Sequence, residues 1–266
     1  MKSFDYHRPA DLAGATRTVA GIEGAKWLAG GMSLLPVMKM RLAAHPALVD
    51  LADISELRGV IETADGLRIA AMTAHATVAA NELVMTSIPA LAKLAGGIGD
   101  PLVRNRGTIG GSLANNDPAA CYPSALLALD ATVITDRRRI AADDFILGTF
   151  QTALAPDELI TAVEFPRPDA AAYVKFANYS SRFSIVGVFV ARRGARVRVA
   201  ITGAGDHAFR ATPIETALEK NFSPAALDGV FVPSDRLLSD MHGSAEYRAD
   251  LITVLARRGV EECLAA

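Results

Sequence analysis

Two cysteines in 266 residues, Cys121 and Cys263, are too few for an iron–sulfur cluster, which typically takes four. They stand too far apart for a CxxC metal or redox pair, and they exclude a disulfide framework. Both read as reduced thiols of a cytosolic chain. Redox or metal chemistry therefore has to come from a bound cofactor or another chain. Net charge is nearly absent: 27 basic side chains against 29 acidic ones leave −2, without the basic excess that wide nucleic-acid binding needs. No apolar run approaches the ~20 residues of a membrane-spanning helix. Met1 to Pro9 carries charge where a signal peptide has its apolar stretch, so the expectation is a soluble, cytoplasmic chain without a transmembrane segment. The histidines His7, His45, His75, His207 and His242 show no i, i+4 pair, which leaves no metal site to propose. No serine sits in a GxSxG elbow, and internal repeats and low-complexity segments are missing as well.

What is present is an ordinary globular composition, 51% hydrophobic and 21% charged. The length suits one large or two modest domains with a sizeable core. Strands are expected at 26–29, 48–51, 59–63 and 67–72, the last two joined as a hairpin across Ala64, Asp65 and Gly66. Ser33 reads as the cap of a helix over 34–40, with Pro36 in its first turn. Helices are expected at 77–82 and 88–95. Asp117 and Pro118 look like the N-cap and first residue of a helix running to about Leu129. Strands follow at 131–135 and 159–165, the latter stopped by Pro166. Pro166 to Asp169 is the best linker. Beyond it, strand-like runs at 173–176, 185–191 and 195–202 suggest a three-stranded antiparallel sheet. Helices over 213–220 and 245–264 complete a separate α+β unit. In the last helix Leu251, Val254, Leu255 and Cys263 share a face. The runs Arg137 to Arg139 and Asp143–Asp144 read as solvated surface.

Two glycine-bearing segments stand out. One is 29–34, Ala-Gly-Gly-Met-Ser-Leu, between a strand and a helix. The other lies in a tract from Gly96 to Gly111 that ends in Thr108-Ile109-Gly110-Gly111-Ser112 and runs on to Asn115. Glycines beside hydroxyl residues let backbone N–H groups converge on an anion, and the hydroxyls of Ser33, Thr108 and Ser112 add donors. Two such loops would grip a pyrophosphate from two sides. Neither is a GxxxxGK[ST] P-loop, and neither is a GxGxxG opening a βαβ unit. Ordinary tight turns are the competing reading of both.

The stretch 29–36 resembles the first flavin loop of the carbon monoxide dehydrogenase medium subunit family. The stretch 100–115, continued by Asn116 to Ala120, resembles that family's second loop almost letter for letter. These are FAD-binding subunits of molybdenum hydroxylases, similar also to the flavin domain of xanthine dehydrogenase. The likeness extends to Lys175-Phe176, to 184–188 and to 201–205, essentially the whole chain. It implies an α+β fold: a two-lobed FAD-binding domain of the vanillyl-alcohol-oxidase type over 1–168, its lobes divided near residue 55, then a small α+β domain over 169–266. It implies that Ala29, Gly30, Gly31, Met32, Ser33 and Leu34 wrap the FAD pyrophosphate from one side. Thr108, Ile109, Gly110, Gly111 and Ser112 hold it from the other, with Asn115 beyond. Ile98 would lie beside the flavin, Ile160 would make an apolar contact and Lys175 a polar one.

One departure bears on this. The family commonly has an acidic residue, which contacts FAD hydroxyls, where this chain has Cys121. A thiol is the poorer acceptor, and losing one charge-assisted hydrogen bond costs roughly 1.5–3 kcal/mol. Met32 replaces a frequent His or Gln. The resemblance further implies electron transfer without a catalytic residue in this chain. Electrons would pass from 2Fe-2S clusters on a small subunit, fed by a molybdenum cofactor on a large subunit, through FAD to an external acceptor in a hetero-oligomer. A self-contained flavin oxidoreductase and an FAD-free scaffold subunit stay open beside that reading.

Overall fold

The computed structural model describes residues 1–265. The first part is a three-stranded parallel sheet in the order β1-β3-β2, built from β1 (Asp5–His7), β2 (Lys26–Leu28) and β3 (Ala47–Asp50). Helix α1 (Leu12–Ala20) and the short α2 (Leu34–Lys39) make its crossovers. Asp11 caps α1 by accepting from the Gly14 N–H. Ser33 stands at the N-cap of α2, but its side chain caps nothing. Its backbone is already helical there, which points the hydroxyl away from the first-turn N–H groups.

A 3-10 turn at Ser55–Leu57 leads into a second layer. It contains β4 (Val60–Glu62), β5 (Gly66–Ala70) and a run of helices: α3 (His75–Ala80), α4 (Glu82–Ser87), α5 (Pro89–Gly96), α6 (Pro101–Arg106), α7 (Ile109–Asn115) and α8 (Tyr122–Ala128). Then come β6 (Thr132–Thr135), β7 (Arg139–Ala141), α9 (Ala142–Phe145), a small hairpin of β8 (Ile146–Gly148) and β9 (Gln151–Thr152), and β10 (Ile160–Pro166). The five-stranded antiparallel sheet runs β4-β5-β10-β6-β7. The hairpin expected around Asp65 is there, closed by reciprocal bonds between Thr63 and Gly66.

The last part holds β11 (Ala170–Ala177), β12 (Ser184–Arg193), β13 (Arg196–Thr202), β14 (Phe209–Arg210), α10 (Thr212–Lys220), a 3-10 turn at Pro224–Leu227 and α11 (Ala245–Ala265). Its antiparallel sheet has four strands rather than three: β14 adds two residues opposite Ala200 and Ile201. Both faces of this sheet are buried. On β12, Val186, Val188 and Val190 face α10 and α11, while Phe189 and Ala191 join the core of the five-stranded layer. That two-sided burial explains why β12 and β13 read as nearly continuous apolar runs. In α11 the buried face is Arg248, Ile252, Leu255, Ala256, Gly259, Val260 and Cys263; Val254 is exposed. None of the helices described is long and apolar enough to cross a membrane.

The expected surface runs are exposed, and they carry ion pairs. Arg137, Arg138 and Arg139 pair with Asp157, Glu158 and Glu164 respectively. Asp143 receives both Arg198, which is buried, and Arg210. Arg198 also donates to the Leu127 carbonyl, tying β13 to the end of α8.

Candidate functional site

The glycine-rich tract is not one loop. Asp100 caps α6 by accepting from the Val103 N–H at 2.9 Å, and Thr108 caps α7 by accepting from Gly111. The expected helix from Asp117 does not start there. Asn116 is left-handed (φ 44°), and the Asp117 carboxylate takes the Ala119 N–H at 2.8 Å, closing a turn instead. The carbonyl of Pro118 accepts from the Gly203 N–H, and the Thr202 hydroxyl reaches the Pro118 and Ala120 carbonyls at 3.0 and 2.6 Å. The segment is thereby held out of the helix, which begins at Tyr122.

These elements wall a cleft of about 900 Å³, near the upper end for small-molecule sites. Ala29, Gly30, Gly31, Met32, Ser33 and Leu34 line one side. Thr108, Gly110, Gly111, Ser112 and Asn115 line another, with Ile98, Cys121, Ile160 and Lys175 completing the wall. Ile109 does not reach it. Its side chain is fully buried in the main core, and its N–H donates to the Thr73 carbonyl. The cleft also takes in residues that no glycine or motif signal marked: Trp27, Leu51, Met72, His75, Glu158 and the stretch Ser181 to Phe183.

The two loops contribute differently. At Gly30, Gly31, Met32, Ser33 and Leu34 the backbone N–H groups donate to no acceptor among the described residues. Free N–H groups in series are what an anion-binding nest requires. In the second loop the N–H groups are taken: Ile109 by Thr73, Gly110 by Ala71, Gly111 by the Thr108 hydroxyl and Ser112 by the Thr108 carbonyl. Its glycines serve contact. A Cβ on Gly110 would lie 2.6 Å from that of Ala71, and one on Gly30 would meet the Arg106 carbonyl oxygen at 2.0 Å. Gly31 is left-handed (φ 74°). The free backbone donors thus sit on the first loop, and the second is its close-fitting counterpart.

Lys175 spends its ammonium on the chain itself. It donates to the carbonyls of Gly97 at 2.6 Å and Arg182 at 3.0 Å and lies 3.7 Å from the Cys121 sulfur. Cys121 is 5% exposed and also lies 3.7 Å from the Ser184 hydroxyl. At another part of the wall Glu158 is buried. Hydrogen bonds from Arg138, then from the Ala155 N–H and Thr135, hold its carboxyl down to about 2 despite burial. It is a fixed anion of the frame.

Residues 2–168 match the family model described as the FAD binding domain in molybdopterin dehydrogenase. Residues 169–263 match the CO dehydrogenase flavoprotein C-terminal domain. The chain is 38% identical to the nicotine 6-hydroxylase medium subunit of Paenarthrobacter nicotinovorans, over 98% of each chain. It is 33% identical to the carbon monoxide dehydrogenase medium chain of Afipia carboxidovorans, over 99% of this chain and 97% of that one. Among solved structures it superimposes on quinoline 2-oxidoreductase from Pseudomonas putida 86 with a TM-score of 0.89 at 29% identity, over 100% of this chain and 99% of that one.

Proposed function

The chain belongs to the family of FAD-binding medium subunits of molybdopterin dehydrogenases, and from that premise we propose that it carries electrons from iron–sulfur clusters on one partner subunit to an external acceptor. A further partner subunit with a molybdenum cofactor oxidises the substrate. The three kinds of chain form a hetero-oligomer. The two thiols of this chain, both free and buried, suit a cytoplasmic setting.

The observation that carries the reading is the row of unpaired N–H groups from Gly30 to Leu34, packed beside a second glycine loop on the wall of a cleft of the right size. That donor set fits the diphosphate of FAD. FAD supplies the stepwise electron chemistry that no side chain here provides. The chain's own residues bind and orient it. Gly30 to Leu34 take the diphosphate, with the Ser33 and Ser112 hydroxyls beside it. Ile98 and Ile160 give apolar cover, and Lys175 braces the wall.

An absorbance spectrum of the purified chain, with chromatographic identification of released flavin, tests this. One FAD per chain supports the reading. A colourless protein that stays colourless in excess FAD, yet still joins its partners, supports the scaffold instead. Reduction of the flavin by substrate only when the partner subunits are present separates the electron carrier from a self-contained oxidoreductase.

A further inference from the structure

His75 is the first residue of α3 and belongs to no motif in the sequence. Its side chain lines the cleft, yet the residue is only 4% exposed. Its Nδ1 is buried and has no hydrogen-bond partner. Tyr122 packs beside it, ring centroids 5.3 Å apart, and the Tyr122 hydroxyl is buried and unpartnered too, so it does not donate to Nδ1. Desolvation by burial lowers the imidazole pKa to about 4, which keeps the ring neutral at ordinary pH.

A neutral imidazole carries one proton. A buried N–H without an acceptor is rarer and costlier than an unfilled lone pair. The proton therefore belongs on Nε2, at the other edge of the ring. That edge lies against Gly107, where a Cβ would meet Nε2 at 2.6 Å. The His75 backbone N–H, meanwhile, donates to the Gly107 carbonyl at 3.0 Å. Glycine at 107 thus leaves the Nε2 edge room beside the cleft, and no acceptor among the described residues takes its proton.

We infer that His75 is a cofactor-contacting residue, donating from Nε2 to an oxygen of the FAD bound in the cleft. This rests on the FAD reading above. The role is that of a neutral donor, distinct from the backbone nest on the first loop.

The test uses the full chain with 15N-labelled histidine, and H75Q and H75L variants. The missing resonances of H75Q assign His75 among the five histidines. The expected result is a proton on Nε2 and a shift of that nitrogen's resonance when FAD is added. FAD binds H75L about tenfold more weakly, the size of one hydrogen bond, and H75Q, which keeps a donor, close to the parent chain. If FAD binds the parent chain while the Nε2 resonance stays still, or if the proton resides on Nδ1, the inference is overturned and the cofactor reading survives. If the parent chain takes up no FAD, both fall together. The resonance experiment needs only the parent chain to be folded, so a variant that fails to fold does not remove the test.

Discussion

Gly30 and Arg106 touch backbone to backbone: the position a Cβ would take on Gly30 is 2.0 Å from the Arg106 carbonyl oxygen and 2.6 Å from its carbon. Neither atom is the free end of a side chain, so nothing flexible can yield. G30A must push the two cleft loops apart. We expect it to cut bound flavin to about a tenth of the parent value while the rest of the fold persists. Gly96 is the control, because a Cβ there meets only the Ala79 methyl at an ordinary 3.7 Å. The ratio of flavin to protein absorbance reads both; equal flavin in G30A and G96A would refute the contact's importance.

Lys175 ties Gly97, next to the cleft wall, to Arg182 and Cys121 of that wall. K175M keeps much of the bulk and loses every one of those bonds. The loop holding Arg182 should loosen, so trypsin should cut after Arg182 about tenfold faster, as for a loss of about 1.4 kcal/mol of local stability. Unchanged cleavage would mean that the loop is held by other contacts.

Cys121 and Cys263 are both buried, but only Cys121 faces the cleft. Burial pushes the Cys263 thiol up to about 12, which leaves it unreactive. Iodoacetamide should modify Cys121 in the flavin-free chain and Cys263 hardly at all, with added FAD slowing the Cys121 reaction at least about tenfold. Peptide mass spectrometry with and without FAD checks this. Equal rates in the two samples would place the cofactor elsewhere.

Stability should fall on acidification in two windows. The imidazole of His75 takes up a proton at about 4 when folded, against an ordinary 6.5. Between those values the unfolded chain binds more protons, so stability rises with pH there, by up to about 1.4 kcal/mol per unit. Glu158 stays ionised to about 2 against an ordinary 4.5, held chiefly by Arg138, so its contribution is lost as pH falls through that lower range. Denaturant melts at intervals from pH 7 to pH 4 should show the upper slope in the parent chain and a smaller one in H75Q.

The Thr202 hydroxyl serves the carbonyls of Pro118 and Ala120. T202V removes both bonds at nearly constant shape, at a cost of about 1–2 kcal/mol. Because those carbonyls fix the segment that carries Cys121, flavin affinity should drop along with the melting temperature. A lower melting temperature with unaltered affinity would show that the segment holds its place without Thr202.

The β-structure was readable because alternation and turn residues report it locally: β4, β5, β12 and β13 fall within a residue or two of where the pattern puts them. Glycine chemistry marked both cleft loops, and all the expected site residues except Ile109 line one cleft. What escaped is decided by distant partners. Asp117 looks like a helix cap, but Thr202 and Gly203 hold the following carbonyls and keep the helix from starting. Asp143 is exposed as its sequence context suggests, but its partners Arg198 and Arg210 come from far along the chain. Val254 fits the apolar face of the last helix by spacing alone, while the sheet that it would have to meet lies against Ile252, Leu255 and Ala256. His75 gives no signal, since a single histidine before a helix says nothing of the ring that will pack beside it.

Pro118 and Ala120 depend on β13, which is made far later than the loops they stand beside. A ribosome that has released the whole five-stranded layer has still not supplied the hydroxyl and N–H that hold this segment. The finished wall of the cleft is thus a late product of the chain's synthesis. A nascent chain stalled before Thr202 is born with both glycine loops and without the finished grip.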